Sequence, residues 1–173
     1  MDLSVEIVEF GSLTAAQRSE LEGDEQDPFD TRGITLQYRS KDRHVGLRDD
    51  LGRLVASTGL LVAEVQVDRE RFPVVGFGGV IVTARQRGRG LGRQVVEAAL
   101  STAGGLGPAF ALLFCHEDRA GLYRKLGFAE VSEEVVVRQP VGYAPMPQRT
   151  MWRPLRPNAC WPPGSVVVHS LPF

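Results

Sequence analysis

The sequence predicts an α/β fold built on a mixed sheet, and three stretches carry that expectation. Val74 to Val82 is apolar and β-branched and reads as a buried strand. A glycine-rich basic turn follows. Leu91, Val95, Val96, Ala99 and Leu100 then recur at i, i+4, i+5, i+8 and i+9, one face of a helix. Ala109 to Cys115 (AFALLFC) is a continuous apolar run of strand length. Because it returns after a helical crossover, it is expected to lie parallel to the Val74–Val82 strand.

The other elements follow in chain order. Ser4 to Phe10 alternates as a short strand, and Gly11-Ser12 breaks it. Thr14-Ala-Ala-Gln17 has the form of a capping box, with a helix running to about Gly23. Glu20, Glu22, Asp24, Glu25, Asp27 and Asp30 make the next stretch the most acidic, and Pro28 and Gly33 make it a loop or broken helix. Arg43–Asp49 and Arg53–Val67 read as strands joined by the turn Asp49-Asp50-Leu51-Gly52. Asp68 to Pro73 reads as a second turn, so three antiparallel strands lead into the glycine turn. Gly104-Gly105 ends the long helix. Asp118 is the expected N-cap of a short helix over Arg119–Leu126, ended by Gly127. Phe128–Arg138 reads as a strand, Pro140–Pro147 as a loop and Gln148–Leu155 as a last central strand. Arg156–Phe173 is an extension with a short strand at Ser165–Ser170.

Composition bounds the function. The chain of 173 residues suits one domain, 1–173, with a hydrophobic content of 43%. A net charge of −1 creates no global field toward nucleic acid or an anionic membrane. The N-terminus MDLSVEIVEF has no signal-peptide pattern and no run approaches a membrane span, which leads to a cytoplasmic expectation. Cys115 and Cys160 are expected as free thiols. His44, His116 and His169 lack ligand spacing, so no metal is expected.

The turn Arg85-Gln-Arg-Gly-Arg-Gly-Leu-Gly92 presents backbone N–H groups at a helix N-terminus, where the dipole favours an anion. It lacks the Lys-Ser or Lys-Thr of a P-loop and the GxGxxG of a dinucleotide fold. The competing reading is a solvated basic turn whose glycines only end a strand. Nucleic-acid binding by this segment is disfavoured by the lack of neighbouring aromatics and by the net charge.

Arg87-Gly88-Arg89-Gly90-Leu91-Gly92 fits [QR]-x-x-G-x-[GA] and resembles the acetyl-CoA motif of the GNAT superfamily of N-acetyltransferases. About thirty residues on, Leu122-Tyr-Arg-Lys-Leu-Gly-Phe128 is similar to that superfamily's LYxKLGF segment, in the same order with a strand between. The resemblance covers residues 60–137. It implies a twisted mixed sheet of about six or seven strands with helices on both faces. It also implies that the Val74–Val82 and Ala109–Cys115 strands splay apart around acetyl-CoA.

On this resemblance, main-chain groups of Val80, Ile81 and Val82 bond the pantetheine arm. The N–H groups from Arg87 to Gly92, Leu91 among them, hold the pyrophosphate, and Arg87, Arg89 and Arg93 add charge. Tyr123 matches the tyrosine that protonates the departing thiolate. The base is open. Relatives carry a glutamate where this chain has Gly78 and Gly79, and Glu64 on the preceding strand is the nearest substitute, with His116 or Glu117 as others.

The implied reaction is acetyl transfer to a primary amine of a small, cationic molecule, with the acidic Glu20–Asp30 stretch as its attracting rim. The C-terminal WPPGSVVVHSLPF is loosely similar to the ending of aminoglycoside 2′-N-acetyltransferases. A peptide or protein amine, or a non-catalytic acetyl-CoA sensor, are the alternatives. Edge strands and the Pro-rich tail would support a homodimer.

Overall fold

The computed structural model describes residues 4–173. A single ten-stranded mixed sheet carries three helices. Strand β1 (Glu6–Phe10) leads to helix α1 (Ala15–Glu22), then β2 (Arg43–Arg48), β3 (Leu54–Val67) and β4 (Glu70–Val82). A 3₁₀ turn (Ala84–Gln86) and α2 (Leu91–Gly104) follow, then β5 (Phe110–Cys115) and α3 (Glu117–Lys125). The remainder holds β6 (Ala129–Glu130), β7 (Val135–Arg138), β8 (Tyr143–Pro145), β9 (Arg149–Pro154) and β10 (Val166–Val168).

The capping box forms as the sequence predicts. Thr14 Oγ1 accepts from the Gln17 N–H at 3.1 Å, and Gln17 Oε1 accepts from the Thr14 N–H at 2.9 Å. The hairpin at Asp49 is held by its carboxylate. Asp49 Oδ1 accepts from the N–H of Leu51 and of Arg53, and Oδ2 takes the Arg53 guanidinium at 2.9 and 2.7 Å. Helix α2 buries Leu91, Val95, Val96, Ala99 and Ala103. Ala103 joins this face, and Leu100 is partly buried at its margin.

Strand β3 is the spine. Its fourteen residues pair with β4 along one edge, while β2 covers the first half of the other edge and β10 the second half. Strand β5 runs parallel to β4 as predicted, with Val75 beside Ala111 and Phe77 beside Leu113. Helices α2 and α3 share one core cluster with Val75, Phe77, Ala111 and Leu113. Leu21 of α1 packs with Leu54 and Ile81 in a separate cluster. Ile81 points away from the α2-facing Val80 and Val82, so helices cover both faces.

Four expectations are corrected. The second turn is confined to Asp68 and Arg69, and β4 begins at Glu70. Asp68 supplies the turn at φ 52°, a conformation aspartate tolerates. Pro73 fits inside β4 because β5 does not reach its free edge. Helix α3 starts two residues earlier than predicted, with His116 at the N-cap; Asp118 lies in the first turn, where its charge faces the positive end of the helix.

The stretch from Phe128 to Arg138 is two strands. β6 pairs with β9 on one wing of the sheet, and β7 pairs with β10 and β8 on the other. The expected 140–147 loop contains β8, which closes a hairpin onto β7. The last segment enters the sheet itself, since β10 lies between β3 and β7. These additions account for ten strands where about six or seven are expected.

Candidate active site

Strands β4 and β5 part company after Phe77. Beyond it, β4 residues pair only with β3, so the edge toward β5 is open over Gly78–Val82. A one-residue bulge starts the divergence. Gly59 faces Gly78, but Ser57 faces Ile81, which leaves an extra residue on β4. Gly79 takes φ 61°, the left-handed conformation that a glycine adopts without strain. The opening leads into a cleft of about 860 Å³.

One wall of the cleft is the glycine turn. Gly88 and Gly90 sit at φ 77° and 78°, and Gly90 is the N-cap of α2 with no side-chain cap. The N–H groups of the first helical turn therefore have no intrahelical acceptor and form the positive end of the helix dipole. Such a terminus takes a phosphate. Val80, Ile81 and Val82, and Arg87, Gly88, Gly90, Leu91, Gly92 and Arg93, all line the cleft.

The arginines of the turn divide by role. Arg87 is held within the protein: its Nε donates to the Val82 carbonyl at 3.1 Å, and its guanidinium pairs with Glu25. This pins the acidic loop after α1 to the turn. Arg93 pairs with Glu97 at 2.8 Å on the surface of α2. Arg89 does not line the cleft and has no ion pair among the described residues.

Tyr123 on α3 also lines the cleft. Its ring packs edge-on against Phe128 at 5.9 Å, and Phe128 packs against Phe77 at 6.2 Å. This aromatic series sets Tyr123 against the strand at which β4 and β5 diverge. Burial pushes its phenol well above the ordinary tyrosine range, so the hydroxyl stays protonated and able to donate.

Of the base candidates, only His116 lines the cleft. Its Nε2 is buried with no hydrogen-bond partner among the described residues. Glu64 is exposed on β3, pairs with Arg71 at 3.1 Å and is not among the residues lining the cleft. It stands five residues beyond Gly59, about 17 Å along the strand from the bulge. Glu117 is exposed and pairs with Arg149 at 2.9 Å.

Part of the acidic rim is engaged within the protein. Glu25 is paired with Arg87, and Glu22 with Arg18 at 3.7 Å. Asp27 folds its own loop by accepting from the N–H of Thr31 and Arg32, and these bonds hold its carboxyl below the usual range. The cleft also carries residues not anticipated from the sequence. Tyr38 donates to Gln148 Oε1 at 2.6 Å, and Phe29, Arg39 and Lys41 lie near the bulge end. Among the described residues no group of three or more His, Cys, Asp or Glu side chains is placed to hold a metal. No helix among them is long and apolar enough to cross a membrane.

Comparison with known proteins agrees with this arrangement. The family model for the acetyltransferase (GNAT) domain matches residues 22–131. Glucosamine 6-phosphate N-acetyltransferase 1 of Oryza sativa subsp. japonica is 38% identical over 107 residues, 61% of this chain and 64% of that protein. The chain thus spans just under two thirds of the length of that relative. The N-acetyltransferase YhbS from Escherichia coli, solved in complex with CoA, is similar in fold with a TM-score of 0.61 at 21% identity. That likeness covers 98% of this chain and 93% of YhbS. N-acetylglutamate synthase from Neisseria gonorrhoeae, solved with coenzyme A and N-acetyl-glutamate, gives a TM-score of 0.57 at 15% identity, covering 87% of this chain and 35% of the other. With a family model matching well over half of its length around the glycine turn and the tyrosine helix, the chain belongs to the GNAT acetyltransferase family.

Proposed function

We propose that the protein transfers an acetyl group from acetyl-CoA to the primary amine of a small molecule, by direct attack in a ternary complex. The observation that carries this reading is the continuity of the cleft. An anion-binding turn, an unpaired strand edge and a buried phenol line one opening in that order. The turn suits the pyrophosphate and the β4 edge suits the amide-bearing pantetheine arm, which would add to it like a strand. The name of the rice relative, an acetyltransferase of an amino sugar phosphate, supports a small acceptor.

The acceptor amine arrives as an ammonium and must lose a proton before it attacks. His116 takes it, directly or through water, since its Nε2 has no protein partner. The amine lone pair then forms the C–N bond to the thioester carbonyl carbon. As the tetrahedral intermediate collapses, the C–S bond breaks, the sulfur takes the bonding pair and Tyr123 Oη donates its proton to the thiolate, while the second proton on the acylated nitrogen leaves through water to the tyrosinate, giving the neutral amide and restoring the phenol. The raised pKa of Tyr123 keeps it in the donating form.

The test is calorimetry with acetyl-CoA, followed by thiol release against a panel of small amines. Tyr123→Phe is expected to lower turnover by at least about a hundredfold with acetyl-CoA affinity unchanged. Equal turnover in the variant would remove Tyr123 from the mechanism. Absence of acetyl-CoA binding by the wild-type protein would remove the whole reading.

A further inference from the structure

We propose that Lys41 seats an anionic group, a carboxylate or a phosphate, carried by the acceptor, so that the acceptor is a zwitterionic amine and not a simple polycation. The inference rests on the acetyl-transfer reading above and extends it to the class of acceptor.

Gly59 and Gly78 face each other across β3 and β4. Two glycines opposite one another leave a trough across the sheet, and the stem of Lys41 lies in it. A Cβ on Gly59 would fall 2.4 Å from Lys41 Cγ, and one on Gly78 would fall 2.7 Å from Lys41 Cε, with the main-chain carbonyl of Phe173 sharing the trough there at 2.4 Å (C) and 2.9 Å (O). The ammonium ends at the bulge, where a Cβ on Gly79 would be 3.8 Å from Nζ and 3.9 Å from the Phe29 ring. The lysine therefore reaches through space to the β4 bulge.

Its surroundings do not neutralise it. Among the described residues no carboxylate stands within ion-pair distance of Lys41, and it makes no hydrogen bond. The charge of a second cation, Arg18, acts on it, and His44 feels both. His44 is engaged with the Gly11 carbonyl at 2.6 Å, and Arg39 with Ser170 and Asp42. Burial and Arg18 together lower the pKa of Lys41 from its usual value. An uncompensated cation held beside another is unfavourable in the empty protein. A methionine would fill the same trough without that cost, so packing does not explain the charge. A ligand anion does, because it would relieve both the lost hydration and the repulsion from Arg18.

The experiment uses wild-type protein, Lys41→Met and Lys41→Arg, each saturated with CoA so that the glycine turn is filled. Thermal stability is followed while inorganic phosphate or acetate is added. Stabilisation of the wild type by one anion, kept by Lys41→Arg and lost by Lys41→Met, is the expected result; which anion acts tells phosphate from carboxylate. Retention by arginine also separates anion binding from proton abstraction, because a guanidinium is no base at neutral pH. Equal behaviour of the wild type and Lys41→Met would overturn the proposal, as would no response of the CoA-bound wild type to either anion. CoA affinity is measured in all three proteins. Failure of the wild type to bind CoA would overturn the acetyl-transfer reading instead, and the anion titration of the free protein would still decide the role of Lys41.

Discussion

Replacing Gly90 separates the conformational role of the glycine turn from its role in binding. Gly90 lies at φ 78° and ψ 6°, and a Cβ built there would meet nothing within 4 Å. Gly90→Ala therefore causes no clash in the free protein, and its cost is the left-handed conformation, about 1–2 kcal/mol. Part of this is offset because alanine restricts the unfolded chain, by about 0.4–1 kcal/mol. A net loss of about 1 kcal/mol lowers Tm by about 2–4 °C in a chain of this size. Gly90→Asn avoids most of that strain, since asparagine tolerates the left-handed region.

Both variants place a Cβ at the mouth of the α2 N-terminus, where a phosphate would approach the N–H groups. Both are therefore expected to weaken acetyl-CoA binding by about tenfold or more, equivalent to about 1.4 kcal/mol. Melting of the unliganded protein and calorimetry with acetyl-CoA read the two effects independently. If Gly90→Asn binds acetyl-CoA as tightly as the wild type, close approach of the ligand to this turn is refuted, whatever happens to Tm.

Two further predictions concern pH. Hydrogen bonds from Arg53 and from two backbone N–H groups hold the Asp49 carboxyl below its usual range, so its contribution is present at neutral pH and is lost as pH falls through the folded-state value. Asp49→Asn should cost about 2 kcal/mol near neutrality, about 4–8 °C in Tm, with the difference vanishing in strong acid; a constant difference would refute the ionic origin. Lys41 has the opposite consequence. Its pKa is lowered from 10.5, so between the folded-state value and 10.5 the folded state binds fewer protons than the unfolded state, and the penalty present at lower pH is relieved as pH rises through that window. Lys41→Met should raise the Tm of the unliganded protein at neutral pH, with the gain shrinking toward alkaline pH. An equal gain at every pH would point to packing and not charge.

Local features were legible wherever one short stretch contained its own reason. The Thr14–Gln17 capping box, the Asp49 hairpin, the glycine turn and the amphipathic face of α2 each depend on side chains within a few residues of one another. The same holds for the parallel return of β5, which a single helical crossover dictates. The two β-strands read as one at Phe128–Arg138 show the limit. Strand-forming residues run through the whole stretch, but its halves are separated by the partners available to them, β9 on one wing and β10 on the other. Pairing partners more than twenty residues away are not encoded in local alternation.

The site divides along the same line. The sequence alone determined the family, the anion-binding turn and the tyrosine helix, because each is a contiguous motif whose chemistry is local. Only the tertiary structure decided which charges face the cleft. Glu64 is held outside it by strand register and by Arg71 across the β3–β4 hairpin, and Glu117 by Arg149, 32 positions away. Arg87 is bound to Glu25 across 62 positions, which turns a presumed attracting rim into a clasp. Lys41 enters the site only because Gly59 and Gly78 come opposite each other in the β3–β4 register. A glycine inside a strand does mark a close approach, but what approaches is set by long-range packing, and a single sequence carries no direct record of that.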